Sequence, residues 1–179
     1  MTTRDSRVDS TESSFREKLL EHVFVSELLQ EAWLNRHQTV EVLRSEVDAS
    51  GYDMVLECSG VIRHVQLKSS RAGAKTSRQN VNVKLAEKPC GCVVWLIFAE
   101  GVTPGRVELS YRFFGGHPGE PLCSDEKLRT FKVAKHTKGD ASGQKSDRPS
   151  IRVIPKRDFL PEIPGIAELM DRLFGPAPR

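Results

Sequence analysis

Apolar positions along this chain follow two rhythms, one helical and one alternating. From Glu12 to Asn35 no Gly or Pro interrupts the sequence, and Phe24, Val25, Leu28 and Ala32 recur at the spacing of one helix face. Ser13 and Ser14, followed by Glu17, are capping-type residues, so the helix is predicted to begin near Glu12. "QTVEVLRSEV" predicts a strand. "YDMVLEC" and "VIRHVQLK" predict two more, joined by Ser59-Gly60 as a hairpin. "NVNVKLAEK" fits a strand by alternation and a helix by length. "CVVWLIFAE", an unbroken apolar run between Gly91 and Gly101, predicts a strand buried on both faces. "RVELSYRFF" predicts another, its aromatics packed in alternation. "IRVIPKRDF" reads as an edge strand. "PGIAELMDRLFG" reads as a last helix, with Pro164 near its start and Gly175 just past its end. Together these elements predict an α/β fold. Residues 1–11 are expected to be disordered and 12–179 to form a single domain. Its core would span about 15–115, with a C-terminal extension carrying a mobile loop over about 138–150.

The hairpin carries polar groups where apolar ones would pack as well. If Ser59 and Gly60 form a two-residue turn, Cys58 pairs with Val61, and Asp53 then stands directly opposite Gln66. Opposed side chains in an antiparallel pair have Cβ atoms about 4.5–5.5 Å apart. Lys68, two residues beyond Gln66, projects from the same face. A one-residue slip would send Gln66 to the opposite face. A carboxylate, a carboxamide oxygen and the Leu67 backbone carbonyl are hard donors suited to Mg²⁺ or Mn²⁺. Lys68 would position an attacking water or neutralise charge developing on phosphorus. Glu21, on the apolar helix face, is the candidate second carboxylate, with Glu27, Glu31 and Asp48 as alternatives.

Charge sharpens the picture. The net value is only +3, yet residues 1–50 hold six Lys/Arg against ten Asp/Glu, whereas residues 59–88 hold seven against the single Glu87. Such a distribution predicts a surface that attracts polyanions. Arg71, Lys75 and Arg78 are the candidate nucleic-acid contacts, with Lys135 and Lys138 beside them. Cys58, Cys90, Cys92 and Cys123 match neither a disulfide framework nor a zinc-ligand spacing, so reduced thiols and a cytoplasmic setting are expected. No apolar run approaches the roughly 20 residues of a membrane span, and "MTTRDSRVDSTESS" is unlike a secretory signal. No GK[ST] phosphate loop is present, which argues against a nucleotide-driven motor.

Asp53 followed by Gln66-Leu67-Lys68, after a helix bearing Glu21, resembles the PD-(D/E)XK nuclease superfamily in a QxK variant. "LEHVFVSELL" stands for the helix motif of restriction-endonuclease-like proteins and "GYD…QLK" for their strand motif, over roughly residues 15–100. The resemblance implies a three-layer domain, a central mixed sheet flanked by helices with an αβββαβ core. It also implies Glu21, Asp53, Gln66 and the Leu67 carbonyl around Mg²⁺ (or Mn²⁺), with Glu21, Asp53, Gln66 and Lys68 in the catalytic set. The implied activity is hydrolysis of phosphodiester bonds in nucleic acid, DNA above RNA, in restriction or defence. A homodimer or a partner protein is left open. The chain departs from the pattern at Gln66, where Glu is commoner, and at Leu20, where a Gly often precedes the helix Glu. Both departures favour an alternative: a catalytically silent protein that keeps the fold to bind nucleic acid or a partner. An ordinary amphipathic hairpin, with Asp53 capping a turn and Lys68 reaching solvent, accounts for the same residues without chemistry.

Overall fold

The computed structural model describes residues 6–45, 50–100, 104–136 and 143–177. Asp48, Lys138 and part of the loop expected over 138–150 lie outside them. The elements in chain order are α1 (Ser6–Gln30), β1 (Val40–Arg44), β2 (Met54–Cys58), β3 (Val61–Arg71), β4 (Arg78–Asn82), β5 (Gly91–Glu100) and β6 (Val107–Gly115). These are followed by α2 (Asp125–Thr130), β7 (Lys132–Lys135), β8 (Asp147–Pro155) and α3 (Ile166–Phe174). A π-helical turn, Glu31–Asn35, prolongs α1, and a 3-10 segment, Val83–Glu87, follows β4.

α1 reaches Asn35 as its periodicity predicts but begins at Ser6, inside the stretch expected to be disordered. Once its buried face is anchored, extending a helix without Gly or Pro adds one hydrogen bond per residue, so no stop signal holds it at Glu12. Ser13 is therefore interior rather than capping, and its hydroxyl donates to Glu17 Oε1 at 3.5 Å.

Five strands form a mixed sheet in the order β1-β2-β3-β5-β6. β3 and β5 run parallel and the other neighbours antiparallel. One face carries Cys92, Val94, Leu96 and Phe98, which pack against the helices: Leu20, Phe24 and Leu28 of α1, and Leu169, Met170 and Leu173 of α3. The other face carries Val93, Trp95 and Ile97. The unbroken apolar run of β5 is thus explained by burial on both sides.

What covers that second face differs from the expectation of helices on both sides. It is a smaller antiparallel sheet, ordered β4-β8-β7, whose Val81 and Ile154 meet Trp95 together with Leu85 of the 3-10 segment. "NVNVKLAEK" satisfies both of its periods in turn, as strand and then as 3-10 helix. β8, read as an edge strand, lies at the centre of this sheet because β4 and β7 pair on either side of it.

Two local features hold the layers in place. Arg63 of β3 is fully buried, donating from Nε to Leu173 O at 2.7 Å and from Nη2 to Arg172 O at 2.9 Å and Gly116 O at 3.0 Å. The last carbonyls of α3 lack intrahelical partners, and a cation there also meets the negative end of the helix dipole. The second feature is the hairpin turn, where Ser59 (φ +51°) and Gly60 (φ +84°) both occupy the left-handed region, as a tight two-residue turn demands. The pairing is the expected one, Cys58 with Val61 and Met54 with Val65.

A Cβ at Gly60 would meet no neighbouring atom, so only backbone strain opposes substitution there. Gly60→Val should lower unfolding free energy by about 1–2 kcal/mol, whereas Ser59→Asn should leave it within about 0.5 kcal/mol. Urea denaturation checks both.

Candidate functional site

β3 outruns its partner. Pairing with β2 ends at Met54–Val65, while pairing with β5 continues to Arg71–Phe98. Where β2 departs, Asp53 takes over the ladder: its N–H donates to Val65 O at 2.9 Å, and its Oδ2 accepts the Leu67 N–H at 2.6 Å. The incoming loop reaches this position because Gly51 (φ +77°) lies against Asn82, where a Cβ would come within 2.8 Å of Asn82 Cβ.

The separation opens a cleft of about 550 Å³, walled by α1, the end of β2 and the outer half of β3. Its charged lining comprises Glu17, Lys18, Glu21, Asp53 and Lys68, with the Leu67 backbone between the last two. Sequence positions far apart therefore converge as expected for Glu21, Asp53, Leu67 and Lys68. Gln66 stands opposite the Asp53 position in register but does not line the cleft. It is 6 % exposed, and its Oε1 accepts the Asn82 N–H at 3.4 Å. Alternation turns Gln66 toward the β4 layer, while Asp53 bends to the sheet edge to satisfy Leu67 rather than standing over the face.

Glu21 is 12 % exposed and doubly paired: Lys18 Nζ contacts Oε2 at 2.9 Å, and Arg44 Nε donates to Oε1 at 2.8 Å. Burial by itself pushes its carboxyl up, but the two cations outweigh burial and hold it below the ordinary 4.5. The alternative carboxylates are committed elsewhere. Glu27 accepts the Tyr111 hydroxyl in a short hydrogen bond, and Glu31 pairs with Arg36 and Asn35. His64 is edge-on to Tyr52 and outside the cleft. Burial, and then the nearby Lys88, hold its pKa below the ordinary value.

No family model, curated protein or solved structure matches this chain. Among the described residues, no three His, Cys, Asp or Glu side chains form a metal-binding group, and no helix is long and apolar enough to cross a membrane. All four cysteines are free thiols.

The basic candidates are exposed but dispersed. Arg71 lines a small recess with Lys156, while Arg78 lines a groove of about 490 Å³ with Lys132 and Arg157. Lys75 and Lys135 are exposed outside both of these recesses and the cleft. Gln79 of β4, which carried no role in the sequence reading, lines the main cleft. Its signal was a polar residue in phase with buried Val81.

Glu21 and Glu27 should leave opposite marks on stability. The folded pKa of Glu21 lies below its unfolded value, so its contribution is present above pH 4.5 and is lost as pH falls through the folded value. Glu27 is raised by burial, only partly opposed by the Tyr111 hydrogen bond. It therefore favours folding below pH 4.5 and loses that contribution as pH rises through its folded value. Across a pH series of urea unfolding curves, the deficit of Glu21→Gln should shrink toward acid, and Glu27→Gln should gain on the wild type above pH 4.5. Parallel profiles for all three proteins would contradict both assignments.

Proposed function

We propose that this protein is a metal-dependent nuclease, with Asp53, Glu21 and Lys68 as its catalytic set. One observation carries the reading: these three residues and Leu67 line a single cleft at the point where β2 leaves β3. The β1–β2–β3 meander with β5 parallel to β3 supports a restriction-endonuclease-like arrangement. β4 and its 3-10 segment stand where the αβββαβ order expects a helix.

The donor chemistry of the cleft fits Mg²⁺ or Mn²⁺. Among the described residues three carboxylates line the cleft beside two ammonium groups, with the Arg44 guanidinium paired to Glu21, so hard anionic oxygens are at hand for a divalent cation. Asp53 and Glu21 would hold the ion, and the Leu67 carbonyl is a further hard donor. The partners of Glu21 are exposed, Lys18 at 69 % and Arg44 at 47 %, and exposed ion pairs of this kind exchange at little cost. Gln66 is the weakest member of the expected set, since its amide oxygen serves Asn82. A bound divalent ion would neutralise phosphate charge and make water more acidic.

The protein's own part is positional. Asp53 is fixed by the Leu67 N–H. Lys68 presents an ammonium to the same space, where it would balance charge as a water oxygen bonds to phosphorus and the ester oxygen leaves with a proton. DNA is the favoured substrate, and Arg71, Lys75, Arg78 and Lys135 would hold its backbone.

Purified protein incubated with DNA and RNA substrates and Mg²⁺ or Mn²⁺ should cleave. Asp53→Ala and Lys68→Ala should each reduce the rate at least about 100-fold. Cleavage unchanged in both variants would rule out this cleft. The Glu21 ion pairs and the Gln66–Asn82 contact favour one rival, a silent nucleic-acid-binding protein. It would bind without cleaving, with affinity falling steeply as salt rises.

A further inference from the structure

Among the described residues, Gln79 is the polar side chain that the second sheet contributes to the cleft. Its amide nitrogen is sealed from solvent and has no hydrogen-bond partner among the described residues. A buried donor left unpaired costs about 1–3 kcal/mol, and folded proteins retain few of them. The strand itself does not require Gln there. β4 keeps its ladder to β8 through backbone groups, with Gln79 opposite Ile154, and the neighbouring inward position is filled by Val81. An apolar side chain would serve packing better.

We propose that Gln79 is a substrate-positioning residue whose carboxamide donates to a non-bridging phosphate oxygen of nucleic acid held in the cleft. The inference rests on the nuclease reading above. Leu20, Leu67 and Leu96 belong to the same lining, so a hydrogen bond there is strengthened by partial exclusion of water. A carboxamide is neutral. It can hold phosphate without competing with Asp53 and Glu21 for a cation, and without adding charge to a lining that already carries five charged groups. By turning 180° about its last bond it can bring NH₂ to the ligand and leave its oxygen behind. The main cleft would then be closed by two sheets, with the five-stranded one supplying the reacting groups and the three-stranded one the grip.

The test compares wild type with Gln79→Leu, Gln79→Glu and Asp53→Ala. The probe is a fluorescent DNA duplex, used with Ca²⁺ for binding and with Mg²⁺ for cleavage, and thermal unfolding is measured in parallel. Gln79→Leu should weaken binding and raise KM about tenfold with kcat within about twofold, while its melting temperature equals or exceeds that of wild type. Gln79→Glu, which keeps the shape but presents an anion, should weaken binding further. A purely structural glutamine would give the opposite pairing: lower stability with unchanged binding. Unchanged KM and binding in Gln79→Leu would overturn the role of Gln79 while leaving the nuclease reading intact, provided Asp53→Ala abolishes cleavage. Wild type that neither binds nor cuts the duplex would overturn both.

Discussion

The left-handed pair at Ser59 and Gly60 sets the geometry on which the rest of the molecule depends. Side-chain period in a strand is two, so a slip of one residue would exchange the two faces of β3. Arg63, Val65 and Leu67 would then point away from the helices, and the guanidinium that closes α3 would face the small sheet. The same turn decides where β2 gives out relative to β3. The cleft therefore follows from the register and needs no loop of special length to create it.

Around that opening, charge is arranged in opposition. Acidic residues from α1 and the β2 terminus face Lys18, Lys68 and Arg44. Two of the carboxylates are steadied by nitrogens, Asp53 by a backbone amide and Glu21 by two cations. The Glu21 carboxyl, its burial outweighed by Lys18 and Arg44, is held below its ordinary value, toward the ionised form that cation binding requires. Farther along α1, Glu27 is half-buried beside Tyr111 and holds its proton more readily. Two glutamates on one helix thus occupy different electrostatic regimes within six residues of each other.

Legibility in the sequence tracked the range of the interactions involved. The hairpin register was readable because turn chemistry is local, and the buried face of α1 because 3.6-residue periodicity is local as well. Asp53, Glu21 and Lys68 followed from those two readings together. The small sheet was not readable, since β4 and β8 pair across some seventy residues and neither carries a signal for the other. The start of α1 is not legible, because Ser13 and Ser14 look like caps yet sit within a helix that nothing interrupts. The hairpin register puts Gln66 opposite Asp53, and the observed pairing agrees up to Met54 and Val65. Alternation fixes a face, but it does not say that Asp53 would abandon that face for the Leu67 amide.

Arg63 and the carbonyl it binds, Leu173 O, are separated by 110 residues of chain. During synthesis the hairpin emerges before α3, so Gly116 O precedes Arg172 O and Leu173 O as an acceptor for its guanidinium. The part of the core built by Leu169, Met170 and Leu173 is therefore supplied last. Until then the sheet positions beneath those three side chains stay open to water.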